Sequence, residues 1–276
     1  MTVQTALQQG FRLLEDGAVP ASRLTAEVLL CQALGCERTH LYSHPEQELS
    51  DLARIHYGRF LYERLEGKPT QYITGRQEFY GREFVVTPAV LIPRPETEHV
   101  VETALSSWND SGVIVDVGCG SGAIAITLAM ELGVEVWATD ISLAALEVAA
   151  ANARRLGAHV HFLACDLTSA LAGGAAGLLV SNPPYVALGS REGLQREVRD
   201  YEPHVALFAG TTGMEFYQRI VSDAERVLRP GGSMVLELGF QSSEAVREML
   251  GIQWRDVRLV PDLAGIPRVL AAALTP

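Results

Sequence analysis

Asn182-Pro183-Pro184-Tyr185 follows a short apolar run that reads as a strand, and its residue types suit one kind of chemistry. Each proline fixes φ and lacks an N–H, so the pair holds Asn182 and its neighbouring carbonyl in a rigid, extended turn. The Asn182 side chain offers a carbonyl oxygen, and with the Pro183 carbonyl it can accept both hydrogens of a planar –NH₂ group. The ring of Tyr185 then packs on the flat face of that group. An amide or aromatic amine nitrogen shares its lone pair with a π-system, so it needs alignment more than a strong base. Two acceptors gripping its hydrogens polarise it and hold it in line with an incoming carbon such as a sulfonium methyl. The nitrogen becomes acidic as the carbon arrives, and its proton can leave through Asn182 to water without a catalytic His.

A second constellation stands upstream. Asp116-Val-Gly118-Cys119-Gly120-Ser121-Gly122 lies between an apolar run, Val113 to Val117, and an apolar helix. Glycines at the carboxyl end of a parallel strand let the backbone approach a ligand closely and take positive φ. The spacing fits a nicotinamide dinucleotide and S-adenosylmethionine equally, since Gly118-x-Gly120-x-x-Ala123 also satisfies the dinucleotide fingerprint. Asp140, at the end of the next strand and followed by Ile141, suits two ribose hydroxyls; its other reading is a helix cap. Asp166, followed by Leu167 after the third strand, can accept from an adenine amino group or cap a short helix.

These residues need elements to position them. From Val3 to Leu65 apolar residues recur at helical steps: Leu7, Phe11 and Leu14, then Leu24, Val28 and Cys31, then Ile55, Phe60 and Leu65. A small helical domain over residues 1–70 follows. Gln77 to Tyr80 and Glu83 to Val86 read as two strands about Gly81-Arg82, giving a β-hairpin linker over residues 71–92. Pro93 to Glu98 then starts a helix with Pro and acidic residues in its first turn. From Val113 onward short apolar strands alternate with helices, so residues 93–276 form an α/β domain with a parallel sheet covered on both faces. Two further strands, Trp254 to Leu259 and Pro267 to Ala273, lie close in sequence, and one of them is expected to run antiparallel.

Composition excludes several classes. Of 276 residues 48% are hydrophobic and 20% charged, so the chain folds, and its longest apolar stretch, Ala123 to Met130 with Thr127 overlooked, is far too short to span a bilayer. The N-terminus lacks the basic start and apolar core of a signal peptide. A net charge of −11 opposes a surface built on phosphate neutralisation. Most of it lies beyond residue 75, because residues 1–75 carry seven basic and nine acidic side chains. The four cysteines form no C-x-x-C pair and stand near no His at metal-ligand spacing, so no metal site and reduced thiols in a cytoplasmic protein are expected.

Taken together, the glycine turn and the Asn-Pro-Pro-Tyr segment resemble an S-adenosylmethionine-dependent N-methyltransferase. Gln71-Tyr-Ile-Thr-Gly75, Leu91-Ile-Pro-Arg-Pro-Glu-Thr-Glu98, Glu202-Pro203, Arg229-Pro-Gly-Gly232 and Asp262-Leu-Ala-Gly265 extend the likeness to the peptide chain release factor N5-glutamine methyltransferase family, from about residue 5 to the C-terminus. That resemblance implies a class I methyltransferase-like, Rossmann-type sheet of seven strands, with S-adenosylmethionine as cofactor. It implies as substrate the Gln of the Gly-Gly-Gln loop in class I release factors, methylated on its side-chain nitrogen. Separately, a monomer with no stable nucleic-acid binding and no membrane attachment is expected. The resemblance also implies that Gly118 to Gly122 lie along the methionine part of the donor, that Asp140 holds the ribose and that Asn182 to Tyr185 bind the glutamine amide. The helical domain would grip the release factor.

The residues leave other functions open. An exocyclic adenine amine presents the same planar –NH₂, so N6 methylation of DNA or RNA fits the tetrapeptide, although the acidic charge supplies no obvious cradle. A donor-sensing module without turnover and a dinucleotide-dependent oxidoreductase fit the glycine turn. Arg94, Glu96 and Glu98 either close over the donor or simply begin a helix. Glu237, at the end of a central strand, is expected to take a hydrogen-bonding role near the site, because an unpaired charge there is costly. Phe79 and Tyr80 line an acceptor channel or pack in the core.

Overall fold

The computed structural model describes residues 1–276, which divide into two compact units: residues 1–76 with 195–201, and residues 77–194 with 202–276. The first unit is helical: α1 (Val3–Asp16), α2 (Ser22–Leu34), α3 (Arg38–Ser43), α4 (Asp51–Leu65) and α5 (Thr70–Thr74). Side-chain oxygens cap two of these helices, Thr2 accepting from the Thr5 N–H and Ser50 from the Ala53 N–H. Val3, Leu14, Leu29, Leu30, Phe60 and Leu61 form its centre.

Two of the expected stripes hold in part: Phe60 is core and Cys31 and Leu65 pack against that core, but each stripe fails at one residue. Leu24 and Ile55 are exposed, while α2 turns Thr25, Ala26 and Glu27 inward and α4 turns Tyr57, Leu61 and Arg64. A buried charge is the reason in each helix. Glu27 accepts from Arg38, Arg23 and Tyr42, and Arg64 pairs with Glu197 and donates to the Lys68 carbonyl at 3.1 Å, so polar residues occupy inward positions that an apolar pattern cannot reveal.

The second unit begins with a hairpin, β1 (Arg76–Phe79) and β2 (Arg82–Val85), followed by α6 (Glu98–Ser107). The boundary between the units falls at Arg76/Gln77, so the hairpin apart from Arg76 groups with the α/β unit. Phe79 and Phe84 stand edge to face at 6.0 Å within its core. Strand then alternates with helix: β3 (Val113–Val117), α7 (Ala123–Leu132), β4 (Val136–Asp140), α8 (Leu143–Leu156), β5 (Val160–Ala164) and β6 (Ala176–Ser181). After β7 (Val186–Ala187) come α9 (Arg196–Tyr201), which groups with the helical unit, then α10 (His204–Leu207) and β8 (Phe208–Gly210). The chain closes with α11 (Glu215–Val227), β9 (Leu228–Glu237), α12 (Ser243–Glu248), β10 (Trp254–Pro261) and β11 (Pro267–Leu274).

Seven strands form one sheet in the order β10-β11-β9-β6-β3-β4-β5. β9, β6, β3, β4 and β5 are mutually parallel and β11 runs against both its neighbours. Alternate residues serve opposite faces. Ile114, Leu178, Val180 and Val269 pack under α6, α7 and α8, whereas Val115, Leu179, Met234 and Leu270 pack under α11 and α12. The chain runs outward through β4 and β5, then returns to the other side of β3. That reversal opens a crevice at the carboxyl ends of β3 and β6, the place where open α/β sheets bind ligands.

One side chain fastens the hairpin to this edge. Asn152, buried in α8, accepts from the Val85 N–H at 2.8 Å and donates to the Val85 and Ser121 carbonyls, each at 3.0 Å. Asn152→Ala leaves those backbone groups without partners in a dry setting. It is expected to lower the unfolding free energy by about 2–4 kcal/mol in a urea titration, three hydrogen bonds being lost at once.

Candidate active site

Gly118 and Asn182 emerge from adjacent strands. The register pairs Asp116 with Val180, and Ser181 Oγ donates to the Val117 carbonyl at 2.6 Å, so the ends of β3 and β6 are tied together. Between them lies a cavity of about 240 Å³. Its wall takes in Gly118 to Ser121, Asp140 with Ile141, Asp166 with Leu167, and Asn182 to Pro184, which brings together most of the residues singled out in the sequence. Asp116, Gly122 and Tyr185 are not part of that wall.

The glycine turn is held by backbone bonds, the N–H groups of Gly118 and Cys119 both donating to the Thr139 carbonyl. Gly118 and Gly120 have φ of +75° and +53°, and a Cβ at either would meet nothing within 4 Å, so both leave open space where a side chain would intrude. Gly122 acts differently. A Cβ there would lie 2.8 Å from Ile126 and 3.2 Å from Ala149, so its bareness lets α7 and α8 pack.

Asp140 does not cap α8; Ser142 does that, accepting from the Ala145 N–H. Instead its Oδ2 accepts from the Gly120 N–H and its Oδ1 from the Ser142 N–H, each at 2.9 Å. A carboxylate has about four lone-pair directions, so these two bonds leave acceptor capacity on Asp140. Asp166 is joined to Arg219 at 2.6 Å, which engages one of the oxygens assigned to an adenine amine. Asp116 lies beneath the turn, Oδ2 accepting from the Ala125 N–H at 3.0 Å and Oδ1 without a partner. Burial pushes its pKa up to about 7. Burial likewise raises the Cys119 thiol, which rules it out as a thiolate nucleophile.

At the acceptor end, Asn182 Nδ2 donates to Thr97 Oγ1 at 3.1 Å, and Thr97 Oγ1 donates to Glu237 Oε2 at 2.6 Å. Thr97 and Glu237 are both buried, and burial raises the Glu237 pKa to about 7. Tyr185 turns its ring onto the backbone of Gly239, and burial lifts its phenol to about 12. The segment before α6 holds itself in place. Arg94 pairs with the buried Glu202, which also accepts from the Ile92 N–H, and Glu98 accepts from the Tyr80 N–H at 2.8 Å, whereas Glu96 is exposed. Phe79 is core rather than channel.

Sequence reasoning missed Thr97, Glu202, Phe216 and Arg219. The first two stood in segments already quoted, Pro95-Glu-Thr97-Glu98 and Glu202-Pro203. The last two lie on one face of α11 and gave no signal of their own.

A seven-stranded sheet of this order, with a glycine turn after its first parallel strand and an acid after the next, defines a class I methyltransferase. Solved structures with the same fold include a methyltransferase from Pyrococcus furiosus (TM-score 0.53, 19% identity, covering 79% of this chain and 98% of that one). A 16S rRNA methyltransferase of T. thermophilus in complex with AdoMet and guanosine gives a TM-score of 0.51 at 22% identity, covering 73% of this chain and 50% of that one. The PrmC N-terminal domain family matches residues 5–75 and the methyltransferase small domain family residues 97–196. The chain is 44% identical to the release factor glutamine methyltransferase of Koribacter versatilis over 98% of both chains, and 39% identical to that of Bacillus subtilis over 90% of both. It belongs to the release factor glutamine methyltransferase family.

The cofactor of this class is S-adenosylmethionine, and the site suits it. The bare glycines leave room along one wall, Asp140 lines it with acceptor capacity beyond its two N–H partners, and Ile141, Leu167 and Phe216 supply apolar surface. Asp116 gives a separate test of the site's electrostatics. An acid whose folded pKa is raised takes up a proton on folding, so its stabilisation is present below about pH 4 and is lost as pH rises through about 7. The unfolding free energy is expected to fall between pH 5 and pH 8. Asp116→Asn should remove its share of that slope in urea titrations, leaving the share of Glu237.

Proposed function

We propose that the chain methylates the side-chain nitrogen of the Gln in the Gly-Gly-Gln loop of class I peptide chain release factors, acting in the cytoplasm as a monomer. The observation that carries this reading is the presence of Asn182, Pro183 and Pro184, from the Asn-Pro-Pro-Tyr segment, one strand away from a donor-type glycine turn and on the wall of the same cavity. The chemistry supplied by bound S-adenosylmethionine is an electrophilic sulfonium methyl.

The protein's own part is to grip and align. Asn182 Oδ1 and the Pro183 carbonyl accept the two hydrogens of the glutamine amide, draw electron density toward its nitrogen and weaken its planar resonance. Prolines 183 and 184 keep those acceptors from relaxing away. With no side chain at Gly118 or Gly120, the backbone admits the donor, while Asp140 sets its depth through the ribose. As the nitrogen–carbon bond forms and the sulfur–carbon bond breaks, the nitrogen carries positive charge, its N–H becomes acidic, and the proton passes by way of Asn182 Oδ1 to water. No strong base is required, in keeping with a site whose wall contains no His.

Incubation of the protein with methyl-labelled donor and purified release factor should label the factor, and a Gln→Asn change in its loop should abolish the label. Label that survives this change contradicts the assignment. Asn182→Ala is expected to lower kcat about 10²–10³-fold, the cost of one preorganised hydrogen-bonding group at a site of developing charge, with donor affinity nearly unchanged. Duplex DNA offered in competition should take no label.

The helical unit is assigned to gripping the body of the release factor. Leu52, Ile55 and Tyr62 share an exposed face of α4, an apolar surface available to a protein partner. Ile55→Asp with Tyr62→Asp is expected to raise KM for release factor at least about tenfold while the donor Kd stays constant, as loss of two anchors at an interface does. Unchanged KM would remove that unit from recognition.

A further inference from the structure

We propose that Thr97 and Glu237 are positioning residues for methyl transfer, forming a one-way hydrogen-bond relay that turns the Asn182 carboxamide so that its oxygen, and not its NH₂, faces the acceptor. The inference rests on the glutamine-methylating reading above and adds what that reading leaves open, namely why Asn182 presents the correct end.

A carboxamide has two ends of nearly equal size and opposite hydrogen-bonding sense. The Asn182 turn fixes where the group stands, but either end could face the cavity. An ionised carboxylate only accepts, so Glu237 Oε2 obliges the Thr97 hydroxyl to donate its single hydrogen at 2.6 Å. Only lone pairs then remain on Thr97 Oγ1. The partner at 3.1 Å must therefore be an N–H, which places Nδ2 of Asn182 on Thr97 and leaves Oδ1 on the opposite side. A hydrogen bond to an ionised acceptor is among the stronger ones, and its burial excludes competing water.

The rest of the surroundings keeps the relay rigid. Glu237 ends β9, and the Tyr217 hydroxyl holds the backbone that follows its Cα, donating to the Glu237 carbonyl at 2.9 Å and accepting from the Gly239 N–H at 3.0 Å. Thr97 ends the short turn that leads into α6 and is itself buried. The groups acting on the Glu237 carboxyl are Thr97, Glu96, Arg268 and Arg94, with the phenols of Tyr185 and Tyr217 close by. If the carboxyl takes up a proton it becomes able to donate to Thr97 Oγ1. The Thr97 hydrogen is then free to point at Asn182, and the carboxamide is no longer held in one sense. A pair serving only to pin α6 to the sheet would stabilise the fold without regard to which end of Asn182 faces outward.

Thr97→Val keeps the shape and deletes the relay, whereas Thr97→Ser keeps it. Valine is expected to lower kcat for release factor methylation at least about tenfold with the Kd for S-adenosylhomocysteine within about twofold, and serine to recover most of the loss, as befits an interaction felt mainly in the transition state. The ratio of wild-type kcat to that of Glu237→Gln should fall several-fold from pH 8 to pH 6, since only the wild type loses its carboxylate over that range. Valine at wild-type kcat, serine no better than valine, or a ratio independent of pH would each overturn the relay. A second readout requires no turnover. In ¹⁵N-labelled protein bound to S-adenosylhomocysteine, the Asn182 side-chain NH₂ resonances should move with the titration of Glu237 and stay fixed in Glu237→Gln. If the wild type fails to methylate release factor, the proposed function falls and these resonances alone decide the relay; resonances indifferent to pH would refute it.

Discussion

Hydrogen bonding at a buried hydroxyl has a direction, and the chemistry of this site depends on the direction taken at Thr97. Strand geometry brings Asn182 to the sheet edge and two prolines stiffen it there, yet neither distinguishes an acceptor from a donor at the tip of its side chain. The distinction comes from a carboxylate at the end of β9, passed through one oxygen atom. Three segments far apart in sequence, the start of α6, the end of β6 and the end of β9, therefore have to meet for the carboxamide to be set. The parallel order of β6 beside β9 and the packing of α6 against that face make this meeting a property of the fold.

The same edge concentrates negative charge in a graded way. Asp140 is stabilised by two backbone N–H groups and lines the cavity. Asp116 is deeper, with one N–H partner and one oxygen that has none, and Glu237 is deeper than Asp140 with a hydroxyl partner; burial raises both into the neutral range. Depth thus separates three carboxyls, one on the cavity wall, one beneath the glycine turn and one held by the Thr97 hydroxyl at the end of β9. The net charge of −11 alone would have suggested a solvated acidic surface.

Much of this was legible in the sequence because the signals were local. Continuous apolar runs separated by helices gave the parallel sheet, and the strand from residue 267 does run antiparallel. The glycine turn, Asp140 and the Asn-Pro-Pro segment stood out because each departs from what a plain strand-to-helix turn needs. What stayed hidden was non-local. Leu24 and Ile55 were read as core because periodicity weighs apolar residues only, while the inward faces of α2 and α4 carry Glu27 and Arg64, each neutralised by partners outside its own helix. Nothing in the hairpin's sequence announces that Asn152, 67 residues away, satisfies Val85. Thr97 looked like one more residue of a helix start. Its importance lies in a partner 140 positions later.

The most direct test of the central claim is a crystal structure of the protein with S-adenosylhomocysteine and a release factor bound. The glutamine nitrogen should lie about 3 Å from both Asn182 Oδ1 and the Pro183 carbonyl, with Nδ2 still on Thr97 and the sulfur in line behind the nitrogen. A glutamine amide that meets Nδ2 of Asn182, or that sits outside the crevice between β3 and β6 altogether, would contradict it.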